Sequence, residues 1–236
     1  MMKRSLATAI ALLAVLTGAV LAQNGQPASG ASGAELNTVL TRMDQTAEKF
    51  KTTEADFVWD QYAKVVNETD TQKGKLYFRR IKDGVEMAAQ ITEPAEKYVL
   101  FRDGKARVYQ PSIDQETVYN TGKNKADFES FVVLGFGGRG HDLEKSFDVH
   151  YLGTEEAQDV KTAKLELIPK SQKVRNTFSQ ILLWIDPARG VSVQQKFLEP
   201  SGDYRLAKYS NIQINTKISD SVFKIKTTGK TRVVSP

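Results

Sequence analysis

Apolar residues recur along this chain with two different periods, and the change between them divides it. From Ala34 to Phe50, the residues Leu36, Val39, Leu40, Met43, Ala47 and Phe50 fall three or four apart. That spacing predicts one amphipathic helix with a single apolar stripe. Ser32, with Glu35 three residues on, fits a capping box at its start. After Thr53 the period drops to two. Segments 55–66 and 74–81 are rich in aromatic and branched side chains, and 85–91 alternates with Val85, Met87, Ala89 and Ile91 on one face. Residues 97–101 and 106–110 flank the turn Arg102-Asp103-Gly104-Lys105, a hairpin, and 116–120 follows as another strand.

The alternation breaks at 125–147. Phe128, Phe131, Val132 and Leu134 share one helical face, a glycine-rich run "GFGGRG" (135–140) comes next, and a second short helix is predicted after it. Strands resume at 148–153, 163–169, 178–186, 191–199, 204–214 and 222–226, with turns at Asp186–Gly190 and Pro200–Asp203. About ten or eleven strands joined by tight turns must pair antiparallel, because parallel neighbours need long crossovers. A sheet this large curls into a barrel or splits into a sandwich. The expected class is mainly β (α+β), with too few helices to cover both faces, so the helices belong on the concave side.

Composition changes this picture at the N-terminus. A basic start and the apolar run 6–22, with Val20 and Ala22 at its end, form a secretory signal peptide cut after Ala22. The alternative, an uncleaved anchor, is disfavoured by the run's short length and its cleavage pattern. Residues 23–33 are small, polar and glycine-rich, a flexible leader, and 34–236 read as one domain. Gln23, not cysteine, follows the cut, so no lipid anchor forms there and a soluble monomer is expected. The chain has no cysteine, which excludes disulfides and thiolate metal sites. Its net charge of +5 falls to +3 once Lys3 and Arg4 leave. Positive and negative residues alternate rather than cluster, so no nucleic-acid footprint is drawn.

Candidate chemistry is sparse. His141 and His150 are the only histidines, a poor basis for a metal site. His141, Asp142 and Ser146 lie close in sequence, but no nucleophile elbow surrounds the serine. Residues 135–140 follow a helical segment rather than a strand, so they read as a hinge and not as a phosphate loop. Glu155-Glu156 reads as a solvated turn, and Asn67-Glu68-Thr69 is formally a glycosylation acceptor. No catalytic residue, metal or cofactor is expected. What stands out is an oversized curved sheet with two apolar helices, a build that encloses an apolar ligand. The segment 128–136, ended by glycines, has the make-up of a movable lid.

Four ordered motifs then carry a resemblance: "GKLYFRR" (74–80), Glu93-Pro94, "FRDGK" (101–105) and "YQPSIDQ" (109–115). With "SDSVFKIKTTGKTRVV" (219–234) as a closing strand, the chain resembles the periplasmic outer-membrane lipoprotein carriers of the LolA type. The resemblance implies an unclosed antiparallel half-barrel with a helical lid on its concave side. It implies an apolar cavity that takes lipoprotein acyl chains, or other lipid, from an inner-membrane transporter and passes them to an outer-membrane acceptor. Arg80 matches the family's lid latch, although Ile81 stands where the family has proline. Met87, Ala89 and Ile91 match cavity positions. The expected acyl-binding set is therefore Leu36, Val39, Leu40, Met43, Met87, Ala89, Ile91, Phe128, Phe131 and Val132. A lipid-sensing envelope regulator of the same fold is the alternative. An enzyme would need polar machinery that the sequence does not show.

The signal pattern yields the first prediction. N-terminal sequencing of the exported protein should return Gln23 as the first residue, and an intact Met1 on a membrane-bound product would contradict it.

Overall fold

The structure, a computed structural model, describes residues 29–82, 84–120 and 134–235. Helix α1 spans Ser29–Lys49. It begins five residues before the sequence pattern suggests, so Ser32 and Glu35 lie inside its first turns and form no cap. Propagation adds one hydrogen bond per residue, and Ala31 and Ala34 favour helix, which carries it through Gly30 and Gly33. The proposed signal peptide and the leader as far as residue 28 lie outside the described residues.

Among the described residues twelve strands form one sheet. They are β1 (Thr52–Ala63), β2 (Glu68–Ile81), β3 (Gly84–Glu93), β4 (Lys97–Arg102), β5 (Lys105–Gln110), β6 (Gln115–Asn120), β7 (Phe147–Ala157), β8 (Val160–Pro169), β9 (Gln180–Asp186), β10 (Val191–Leu198), β11 (Tyr204–Ile214) and β12 (Arg232–Val234). The order is β12-β6-β5-β4-β3-β2-β1-β11-β10-β9-β8-β7. The sheet is unclosed, with β12 and β7 as its edges. The first and the eleventh strand meet at its centre, Phe57 opposite Tyr209. The short helices α2 (Leu143–Ser146) and α3 (Gln172–Arg175) complete the described elements, with 3₁₀ turns at Pro111–Ile113 and Asp220–Phe223.

The inner face carries two apolar clusters. Over β7–β9, the stripe of α1 (Val39, Leu40, Met43) packs on Leu165, Leu167, Ile181, Leu183 and Ile185. Over β1–β3 and β11, Phe57, Leu76, Phe78, Ala89, Ile91, Ala207 and Tyr209 form the second cluster, joined by Phe50 and Phe136. A sheet cannot leave so much apolar surface in water, at roughly 25 cal/mol per Å², and α1 is the first cover it receives.

Three local expectations change. Residues 222–226 are not a strand; the closing strand is β12, and it pairs parallel to β6, Val233 beside Glu116. The chain leaves the ladder early because Phe223, 2% exposed, is buried on the outer face against Tyr77, Ala88 and Leu100. Arg79 lies 4.3 Å above the Phe223 ring and also holds the buried Glu86, Nε to Oε2 at 2.9 Å. The return of the chain is fixed by Asp114 of "YQPSIDQ". Its carboxylate accepts from Thr228 at 2.7 Å, Thr231 at 2.6 Å and Tyr109 at 3.1 Å, and its carbonyl accepts from the Arg232 N–H. Second, Glu155-Glu156 is not a turn but part of β7. The turn sits at Gln158-Asp159, both with positive φ, and Glu155 pairs with Lys164 at 2.7 Å. Third, α3 fills part of the segment between β8 and β9, to which the sequence pattern assigns no element.

Gly74 locks β2 to β3 beneath this inner face. A Cβ there would lie 2.0 Å from the Gln90 carbonyl oxygen, and the ladder shifts register beside it. Gly74→Ala should cost several kcal/mol, on the order of 2–4 as for other overpacked sites, read as a drop in the urea midpoint. An unchanged midpoint would show that the two strands part there freely.

Candidate functional site

The β1–β6 half of the inner face has its own cover, the strap 134–140. Phe136 is 1% exposed and stacks on Phe78 at 5.3 Å, edge-on to Tyr209 at 4.7 Å. Leu134 packs into the α1 cluster, so nearby strap residues join the two halves of the core. The strap is held by its backbone. Ser192 N donates to Gly135 O at 2.9 Å, and the Gln195 amide donates to Leu134 O while accepting from Tyr209 OH at 3.3 Å. Burial pushes the Tyr209 phenol far up, so it stays a neutral donor. Gly137, at φ 78°, brings the strap so close to Phe50 that a Cβ would lie 2.5 Å from the ring. At Gly140 a Cβ would meet the α1 backbone, 2.4 Å from Leu40 O. The glycine run is therefore a close-packed crossing over the inner face, which explains why it lacks the strand-then-helix setting of a phosphate loop.

Two side chains tie the strap, one at its middle and one just beyond its end. Arg80, on β2, donates from Nη2 to Gly137 O at 3.0 Å, and its guanidinium lies 5.7 Å from the Phe50 ring centre. His141 reaches α1. Its Nδ1 lies 2.5 Å from Asp44 Oδ2, its backbone N–H donates to Asp44 Oδ1 at 3.3 Å, and Nε2 lies 3.2 Å from Asn37 Oδ1. Partial burial works to raise the Asp44 pKa. The hydrogen bonds and charge of His141, with the Arg139 guanidinium nearby, outweigh it and hold the carboxyl below the ordinary 3.8. His141 thus spends its ring on α1. Asp142 pairs with Lys145 at 2.7 Å, and Ser146 is exposed, so no triad is assembled.

The residues expected to line a cavity fall in two places. Val39, Leu40 and Met43 are buried at 6%, 1% and 1% in the helix–sheet core, with Leu36 half-buried at its margin. Ala89 and Ile91 are buried in the second cluster, and Met87 is half-buried there. The structure does not bring the helix stripe and the strand face into one cluster. Phe128, Phe131 and Val132 lie outside the described residues. Val85, already on that face in the sequence pattern, and Val99 stand half-buried near Met87, and Trp59, which the sequence did not single out, is half-buried farther along the same face toward the β1–β2 turn. Phe136, Gln195 and Tyr209 were missed as well. A phenylalanine between glycines, and a glutamine at an inward position of an apolar strand, were the available signals.

The described residues hold no cluster of histidine, aspartate and glutamate able to ligate a metal. No helix among them is long and apolar enough to cross a membrane. The geometry is that of an apolar inner face under a tethered strap. A family model described as outer membrane lipoprotein carrier protein LolA matches residues 48–226. The chain belongs to this family. No curated protein matches the sequence. Among solved structures, the LolA-like sheet is similar to MucB at 13% identity and TM-score 0.52, covering 82% of this chain and 63% of MucB. It is similar at TM-score 0.50 and 13% identity to the MucA/MucB complex structure of Pseudomonas aeruginosa, over 81% of this chain and 61% of that one. An uncharacterized conserved protein from Thermus thermophilus gives TM-score 0.54 at 11% identity, covering 86% of this chain and 99% of that one. This chain thus spans less than two thirds of MucB, and at such identities the likeness shows the fold.

The Asp44–His141 clasp is testable. Its carboxylate has a depressed folded pKa, so its contribution is present above the unfolded value and is lost as pH falls through the lower folded value. Asp44→Ala should therefore destabilise by about 1 kcal/mol at neutral pH, because His141 is partly exposed, and the difference from wild type should shrink as the medium is taken into acid below the ordinary carboxylate range. Thermal melts at neutral and at acid pH read this. An equal gap at both would place the effect in helix packing instead.

Proposed function

We propose that this LolA-family protein is a periplasmic carrier that shelters acyl chains of a lipoprotein, or of another lipid, on the inner face of β1–β5. The observation that carries the reading is the half-buried apolar set Val85, Met87 and Val99 near a strap whose Phe136 stacks on Phe78, with the half-buried Trp59 farther along the same face. Such a set is incompletely covered by the described chain, and an acyl chain is the ligand class whose only demand is apolar area. Arg80 acts as the latch in this reading, since it is exposed, carries charge and holds the strap by one hydrogen bond. Breaking one such bond costs only about 1 kcal/mol, which suits a cover that must move. The stripe of α1 packs into the helix–sheet core, so in this reading the binding role falls to Met87, Ala89 and Ile91 among the expected residues that the structure describes.

Energetics fix what a carrier of this kind must do. Burying acyl chain is worth about 0.8 kcal/mol per methylene, so a long chain represents on the order of 10 kcal/mol against release into water. Release needs an acceptor that offers a better apolar site, such as an outer-membrane partner that receives what an inner-membrane transporter loads onto the carrier. No bond is made or broken, so the protein acts without a catalytic residue. A second reading, a lipid-sensing envelope regulator, is supported by the fold shared with MucB, whose structure is known with MucA.

Met87→Glu separates the site from ordinary core. It puts a carboxylate among apolar groups at a half-buried position. The variant should stay folded in a melt and lose fluorescent fatty-acid binding at least tenfold. Retained binding would show that Met87 faces away from the ligand, and global unfolding would show packed core. Native mass spectrometry of protein from its own host decides between the two readings: co-purified lipoprotein supports the carrier, and a stable protein complex without lipid supports the regulator.

A further inference from the structure

Four of the six large apolar residues exposed among the described residues lie at one end of the sheet, Tyr119 and Leu152 being elsewhere. Val65 is 94% exposed and Val66 60% at the turn between β1 and β2. Ile113 is 60% exposed at the turn between β5 and β6. Strand directions alternate from β1 to β6, so these two turns lie on the same rim. Val233, 61% exposed, stands beside Glu116 one residue into β6 from that rim. Behind the first tip, Tyr62 and Tyr204 stack at 4.9 Å, and the Lys196 ammonium sits 4.0 Å above the Tyr204 ring. A valine pair at the tip of a hairpin is costly in water and contributes nothing to the core. Asn67, at φ 53°, could complete the turn with any polar neighbours.

The position of this rim is informative. Phe136 stacks on Phe78, three residues from the other end of β2, and α1 ends where β1 begins. Both covers therefore lie toward the opposite rim. Trp59 and Val99 are half-buried on the inner face of the β1–β4 half toward the Val65 rim. Among the described residues, the two covers lie away from the rim where the apolar tips project.

We infer that this rim rests on a lipid surface, with the Val65-Val66 and Ile113 tips entering the headgroup layer. Two properties favour a bilayer over a protein pocket. The tips are about four strand spacings apart, roughly 20 Å at about 4.8 Å per strand, so they suit a flat partner and not one groove. Charges around them are mixed, with no basic excess: Glu68, Asp70, Glu93, Glu96, Asp114, Glu199 and Asp203 stand among Lys64, Lys73, Lys97, Lys196, Arg205, Lys230 and Arg232. Attraction to anionic headgroups cannot supply the contact, and the apolar tips with tyrosines at the interface can. The contact is weak and reversible, because few side chains enter. The inference deepens the carrier reading, on which it rests, by naming the rim through which lipid passes.

Flotation of the full-length exported protein with vesicles tests it, using phosphatidylcholine alone and phosphatidylcholine with phosphatidylglycerol. The protein should float with both to a similar extent. The double variant Val65→Asp/Val66→Asp and the single variant Ile113→Asp should each lower the bound fraction at least fivefold. Leu152→Asp, exposed on β7 away from the rim, should leave it unchanged. No flotation, flotation only with anionic vesicles, or rim variants that bind like wild type would each overturn the inference. Melting curves confirm that the variants fold, as expected for such exposed sites. Fatty-acid uptake is measured on the same samples. Uptake that fails in wild type while rim-dependent flotation persists would sink the carrier reading alone, and normal uptake with no flotation would sink the rim alone.

Discussion

Everything in this fold follows from a sheet that does not close. A closed barrel hides its inner face by wrapping it on itself, whereas twelve strands with free edges at β12 and β7 leave that face to be covered by something else. Two covers of different character share the task. Helix α1 fits its stripe into the β7–β9 half and becomes core. The strap crosses the β1–β3 half with one aromatic anchor and backbone hydrogen bonds, and leaves apolar residues half-buried beside it. The division separates the part of the molecule that holds the structure from the part able to exchange one apolar neighbour for another.

The polar groups on the inner face serve this division. Gln195 joins strap and sheet in one amide, accepting from Tyr209 and donating to Leu134. Arg80 and His141 hold the same strap from opposite sides, one from β2 and one against α1. Each of them is occupied with backbone or with neighbouring side chains. The charged residues that a search for catalysis would notice first are positioning the cover.

Much of this was legible in the sequence because period is a local property. The change from helical to alternating spacing at Thr53 marks the end of α1 and the start of the sheet, and the order of short motifs pointed to the family. What escaped was long-range. Nothing local says that the α1 stripe packs over β7–β9 while Met87 and Ile91 face the other half, so the two sets looked like one lining. Phe136 looked like part of a lid helix, although its glycine neighbours let it lie flat against Phe78. Residues 222–226 alternate as a strand should, yet burial of Phe223 outside the sheet and the grip of Asp114 on Thr228 and Thr231 send the chain to a parallel edge. Glu155-Glu156 read as a turn because charge suggests solvent, and an exposed face of a strand is equally solvated.

The meeting of β1 and β11 at the middle of the sheet has a kinetic consequence. Lys208 and Asp60, paired at 3.1 Å, are 148 residues apart along the chain. The centre of the sheet cannot form until nearly all of the polypeptide is available, and loop closure over such a span makes assembly slow. A growing chain that lacks its last third leaves one side of β1 without its partner and keeps apolar strand edges unpaired. During that interval the unpaired edges are open to other chains. A topology that delays its own completion in this way keeps the polypeptide extended until the eleventh strand has been made.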